Sequence, residues 1–239
     1  MTRSANARVA GFTFLFYIVA GITSMILNGR ASGGPDPAAR LQAISRHPTE
    51  MAVVVILLLF QCFSALVLAV TLHALTRETD RDLAMMGLLC RAAEGILSGA
   101  GIASTLAVVD LARTTGVGGS DLPARHLLGA HLLREDIALT ATFFAVGSLL
   151  FSLLFLRGRL IPAPLAWLGV AASVLLVVEL PLQLAGFVHG PVTRLVWLPM
   201  LAFEVPLGVL LLVKGVRAPA TPATAPLGLA GSAGPPARP

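Results

Sequence analysis

The chain has 239 residues, 56% of them apolar and only 12% charged, with a mean hydropathy of +0.86. Soluble domains carry about 25% charged residues, so a water-facing fold is excluded. Spans of about 20 residues joined by short loops leave room for six helices and for no sizeable soluble domain. The net charge of +5 does not point to nucleic acid, because the basic residues stand singly or in pairs at span ends and form no patch.

The first span is expected over Val9 to Leu27, behind Arg3 and Arg8. The run is long for a signal-peptide core, and no A-x-A-like site follows it at Asn28-Gly29-Arg30, so an uncleaved helix is expected. A turn cluster, Gly33-Gly34-Pro35-Asp36-Pro37, and a short polar stretch lead to span two, from Met51 to about Leu75. Span three follows the charged turn at residues 77–82 and ends near Ala112. Ile137 to Leu156 is an unbroken charge-free run, the apolar part of span four, closed by Arg157 and Arg159. Span five covers about Ile161 to Val188. A turn at His189-Gly190-Pro191 leads to span six, Leu195 to Val213, stopped by Lys214 and Arg217. Residues 1–217 thus form one all-α, polytopic bundle of about six transmembrane helices. Residues 218–239 are a Pro/Ala/Gly-rich tail with nothing to bury, expected to be disordered.

With the N-terminus inside, nine basic residues fall on the inner side: Arg3, Arg8, Arg77, Arg81, Arg157, Arg159, Lys214, Arg217 and Arg238. Six fall on the outer side: Arg30, Arg40, Arg46, Arg113, Arg125 and Arg194. The excess gives an N-in, C-in topology, which an even number of spans requires.

Several dispersed positions carry a resemblance. Arg8-Val-Ala-Gly11 opens span one, and His73-Ala-Leu75 leads through a charged turn to Leu83-Ala84 and Arg91-Ala-Ala-Glu94. Phe143-Phe144, Gly147, Leu156-Arg157, Leu160, Pro162 and Leu168-Gly169-Val170 follow, and the pattern closes with Glu204 and Leu211-Leu212-Val213-Lys214-Gly215. Over roughly residues 8 to 216 the chain resembles the bacterial membrane proteins of domain-of-unknown-function family 4386. That resemblance implies a multi-helix protein of the bacterial cytoplasmic (inner) membrane and names no activity.

A charge at the bilayer centre costs at least about 2.5–3.5 kcal/mol, so each one needs a reason. On span three, Gly87, Arg91, Glu94, Ser98, Gly101 and Thr105 fall on one line of the helix, a small-and-polar stripe expected to face the bundle interior. Arg91 and Glu94 have the i,i+3 spacing of an ion pair, which by itself would only orient the helix. Gly95 and Gly99 make a close-approach motif, which indicates packing and no more.

Spans five and six share an echo, Glu179-Leu-Pro181-Leu and Glu204-Val-Pro206-Leu, placed almost symmetrically about Pro191. Counted along continuous helices, both carboxylates lie about 18–20 Å below the outer turn, each beside a proline that frees a carbonyl. Glutamates beside broken helical turns are a construction transporters use for cations or protons. Arg91, Glu94, Glu179 and Glu204, if clustered, would sum to minus two, so one carboxyl is expected to hold a proton or a cation. They are the candidate ligand or ion site; the bland alternative is interhelical glue.

Arg134-Glu135-Asp136 borders the charge-free run and is expected at the outer interface, as is Asp110. The five histidines lie at opposite ends of spans or in loops and make no axial pair for haem. Cys62 and Cys90 read as small buried hydrophobes, and no metal spacing appears, so no cofactor is expected. No nucleophile–base set or metal triad occurs at matching depth, so an enzyme is the weakest class. Two readings stay open: a small-ligand or proton/cation-linked carrier, and a non-catalytic structural or regulatory protein. The lipid bilayer is the partner composition demands; homo-oligomerisation is left open. The polar content should bring spans three, five and six together at the bundle centre, with span four ordered by its triplet at the surface.

Overall fold

The computed structural model describes residues 2–114, 128–130, 138–190 and 192–216. The Arg134-Glu135-Asp136 triplet, His126, His131 and the tail lie outside the described residues. Among the described residues, six helices are long and apolar enough to cross a membrane.

Helix α1 (Arg3–Ala31) starts where Thr2 caps it, its side chain accepting from the Ala5 N–H at 3.2 Å. It runs one turn past the expected end. Beyond the Gly33-Gly34 turn, Asp36 caps a short helix α2 (Pro37–Arg46), accepting from Ala39 N–H at 2.8 Å, with Pro37 at the first helical position. This helix occupies the stretch expected to be merely polar. Leu41 and Ile44, three residues apart, bury against Ala31, Met51, Val108, Val109 and Ala112, so α2 seals one face of the bundle.

Helices α3 (Pro48–Thr76) and α4 (Arg81–Thr114) form spans two and three, and α5 (Ala138–Arg157) and α6 (Ala163–Leu184) form spans four and five. The sixth span is broken into α7 (Val192–Leu195) and α8 (Leu198–Val213). Pro199 explains the break: its ring collides with the carbonyl four residues earlier, that of Leu195, where α7 stops. Pro181 and Pro206, in contrast, sit inside continuous helices.

The spans close a ring in chain order. Helix α1 packs on α3, α3 on α4, α4 on α5, α5 on α6, α6 on α8, and α8 returns to α1. The ring is filled, not hollow: Phe14, Leu72, Phe151, Phe155, Phe203 and Leu207 meet along its axis, all buried. The residues around its circumference are large and apolar, with Phe63 57%, Val70 61% and Leu89 57% exposed, as lipid contact requires.

Glycines set the closest approaches. At the α1–α8 seam a Cβ on Gly11 would lie 2.6 Å from Gly208 O and closer still to Leu212 N. Between α3 and α4, a Cβ on Gly95 would lie 3.1 Å from Cys62 O, and Cys62 Sγ donates to Gly95 O at 3.1 Å. The Gly95-xxx-Gly99 motif is therefore a packing contact with α3. Because one of the obstructing atoms is backbone, Gly95→Val is expected to lose about 1–3 kcal/mol, checked by thermal unfolding in detergent. A transition within one degree of the parent's would remove the motif's packing role.

The polar stripe of α4 faces inward only in part. A Cβ on Gly87 would press on the Phe151 ring, and Arg91 and Glu94 are each 1% exposed, whereas Gly101 has open space beside it. With 34 residues, α4 is about 51 Å long and outruns a 30 Å hydrocarbon core, so the stripe's distal end leaves the region that forces polar groups inward.

Candidate buried charge site

The site is assembled by α1, α4, α5 and α8. On α4 the expected i,i+3 pair forms: Arg91 Nη1 lies 2.9 Å from Glu94 Oε2. The approach is out of line for a hydrogen bond. Nε, Nη1 and Nη2 of Arg91 all lack a hydrogen-bond acceptor among the described residues. Tyr17 of α1, the only tyrosine in the chain, donates its hydroxyl proton to Glu94 Oε1 at 2.9 Å. The carboxylate thus meets a cation on one oxygen and a phenol on the other.

Helix α5 supplies the floor under Arg91. The guanidinium carbon sits 4.8 Å from the Phe144 ring centroid and 5.9 Å from that of Tyr17, within the range of cation–π attraction. The aliphatic stem passes over Gly147, where a Cβ would lie 3.0 Å from Arg91 Cγ. Phe144 is itself held against Trp197, at the break between α7 and α8, with centroids 5.7 Å apart.

Glu204 of α8 faces the same place without touching it. It lines, with Arg91, Ser148 and Ser152, an internal cavity of about 10 Å³, and makes no ion pair among the described residues. That volume is at the lower limit for one water molecule. Ser152 Oγ, buried on the cavity wall, has no hydrogen-bond partner among the described residues either. By helical rise, Arg91 lies about 15 Å and Glu204 about 14 Å from the end of the bundle where α1 begins and α8 stops, here the terminal face. Both are near the middle of a 30 Å core.

Glu179 stands apart. It is 6% exposed and both its oxygens lack hydrogen-bond partners among the described residues, but it does not line the cavity. It lies about 24 Å from the terminal-face start of α6, some 10 Å further along the bundle than Glu204. The equal depth inferred from the symmetric echo fails because residues 185–190 are not a helical continuation and the sixth span is broken at Val196-Trp197. Of the four candidate residues, then, Arg91, Glu94 and Glu204 come together and Glu179 does not join them.

Two expectations about the helices change as well. Span three packs against its chain neighbours and α2, and reaches span six only through side chains across the cavity. Span four is central, contributing Phe144, Gly147, Ser148, Phe151 and Ser152. Its inward face carries no charge, so a search for intramembrane charges passes over it. Tyr17 was missed for the same reason; a lone phenol within an apolar span was the available signal.

Fold and site define a class: a closed six-helix membrane bundle enclosing a buried, incompletely hydrogen-bonded ion pair. Residues 9–215 match the family described as domain of unknown function (DUF4386), and the chain belongs to that family. No curated protein and no solved structure matches it.

Proposed function

We propose that the protein is a non-enzymatic, proton- or cation-linked carrier of a small ligand, with Tyr17, Arg91, Glu94 and Glu204 as its interior site. The observation that carries this reading is Arg91: 1% exposed, mid-membrane, with guanidinium donors unused beside a cavity shared with Glu204. A group so costly to bury is ordinarily satisfied in full when its only task is packing. Here one position is left for an acceptor, with a second carboxylate to balance or hold a proton. Glu179, nearer the opposite face, is a third buried carboxylate. In this reading the terminal face is cytoplasmic, the membrane is the bacterial inner membrane, and the ring is seen closed.

The size of the cavity supports a second reading. About 10 Å³ admits no solute larger than water, which suits a structural or regulatory protein whose buried charges fix helix packing. Purified protein in vesicles with a trapped pH dye, under an imposed diffusion potential, separates the two. The carrier reading expects wild-type vesicles to acidify or alkalinise faster than empty ones. Glu204→Gln, which keeps shape and loses the charge, should return flux to the empty-vesicle level while leaving unfolding temperature near the parent's. Wild-type vesicles as tight as empty ones to protons and to alkali cations would leave only the structural reading.

A further inference from the structure

At the terminal face, where α3 ends and α4 begins, a cleft of about 420 Å³ opens between His73, Arg77, Glu78, Arg81 and Met85. Its charges are not balanced locally. Glu78 is held by Arg3 of α1, Nη1 to Oε2 at 2.7 Å, so its charge is answered from outside the cleft. Asp80, in the adjoining turn, accepts from Leu83 N–H at 3.1 Å and lies 3.7 Å from Arg157. Both neighbouring arginines, Arg3 and Arg157, thus have acidic partners. Arg77 and Arg81, on the cleft, have none among the described residues, and His73 presents a buried Nε2 that also lacks a partner.

Beyond the cleft both helices present apolar side chains. On α3, Val70, His73 and Arg77 follow one another at three- and four-residue steps; on α4, Arg81, Met85 and Leu89 do so at four-residue steps. Each row passes from a cationic end to side chains exposed to lipid: Val70 is 61%, Met85 41% and Leu89 57% exposed. Two unanswered guanidinium groups at the interface, next to apolar side chains exposed to lipid, match a phosphate that carries an acyl tail.

We infer that this cleft binds the headgroup of an anionic phospholipid from the leaflet at the terminal face, its phosphate between Arg77 and Arg81 and one acyl chain along Val70 and Leu89. Arginines at span ends also set topology without binding anything. The absence of acidic partners among the described residues separates this pair from Arg3 and Arg157, and convergence on one concavity separates it from the other terminal-face arginines. The inference requires only that the chain cross the membrane, and stands whether or not the interior site carries protons.

The test is native mass spectrometry of the full chain, delipidated and then offered equal amounts of phosphatidylglycerol and phosphatidylcholine of the same acyl chains. The parent should retain phosphatidylglycerol preferentially. Arg77→Gln/Arg81→Gln should lower that preference about tenfold or more, while Arg157→Gln, outside the cleft, should leave it unchanged. Met85→Trp keeps every charge and fills the cleft, and should also abolish the preference; it serves if the double variant does not fold. Undiminished preference in the double variant, or in Met85→Trp where the double variant does not fold, overturns the inference, as does an equal loss in Arg157→Gln, which would mean diffuse charge. Inorganic phosphate displacing the lipid at equal concentration would overturn the assignment to a lipid and leave a free-anion site.

Discussion

Arg91→Leu should destabilise the bundle by about 3–5 kcal/mol, the loss that follows when one member of a buried ion pair is removed and the other is stranded. The guanidinium is 1% exposed, so no solvent screens the charge left on Glu94, and Tyr17 alone cannot neutralise it. Glu94→Gln alone should also be costly, because the Arg91 cation would keep only Glu204, across the cavity, and the Phe144 and Tyr17 faces. The double variant Arg91→Leu/Glu94→Gln removes both charges and should recover a large part of the loss. A cycle of these three variants, followed by unfolding in mixed micelles, measures the coupling directly. Additive losses would mean that the two side chains do not act as a pair. Tyr17→Phe removes only the phenol bond and should fall well below either single charge variant.

The second large effect concerns the seam. Gly11→Leu should prevent α1 from seating on α8, because its Cβ would meet the backbone at Gly208 O and Leu212 N, neither of which can swing away as a side chain would. Overpacking usually costs about 1–3 kcal/mol, and obstruction by backbone puts this variant at or beyond the upper end. Gly29, in the same helix, has nothing within 4 Å of the same position. Gly29→Ala should therefore be neutral or stabilising by up to about 1 kcal/mol. Equal unfolding temperatures for the two variants would contradict a glycine-dependent seam.

The membrane crossing and the order of the spans were legible in the sequence because hydrocarbon imposes one strong rule, long runs without charge. The Arg91–Glu94 pair was legible because both partners sit on one helix at fixed spacing, so no tertiary information was needed. Glu204 was legible as a costly residue, but its position opposite Arg91 was not, since that depends on ring closure by α1 and α8. The supposed equivalence of Glu179 and Glu204 shows the limit. Counting residues from a turn gives depth only if the chain stays helical, and Pro199, four residues after Leu195, breaks the sixth span at Val196-Trp197. Tyr17, Phe144 and Gly147 escaped because an aromatic ring or a glycine within an apolar span is ordinary by composition; only the geometry around the guanidinium gives them a role. Likewise α2 was hidden because Leu41 and Ile44 are just two apolar residues in a polar stretch.

Ring closure in chain order also has a meaning for biogenesis. Helices that touch mainly their sequence neighbours can associate pair by pair as they leave the insertion machinery, and only the α1–α8 seam must wait for the sixth span. Until then the inward face of α1, including Phe14, has lipid or a chaperone where Leu207 and Leu211 will later sit. Helix α4 enters the bilayer with Arg91 and Glu94 already neutralising each other, a partnership that needs no other span. Glu204 arrives last, on the helix that closes the circle. The carboxylate that completes the charge cluster is therefore also the one whose arrival reports that the ring has closed.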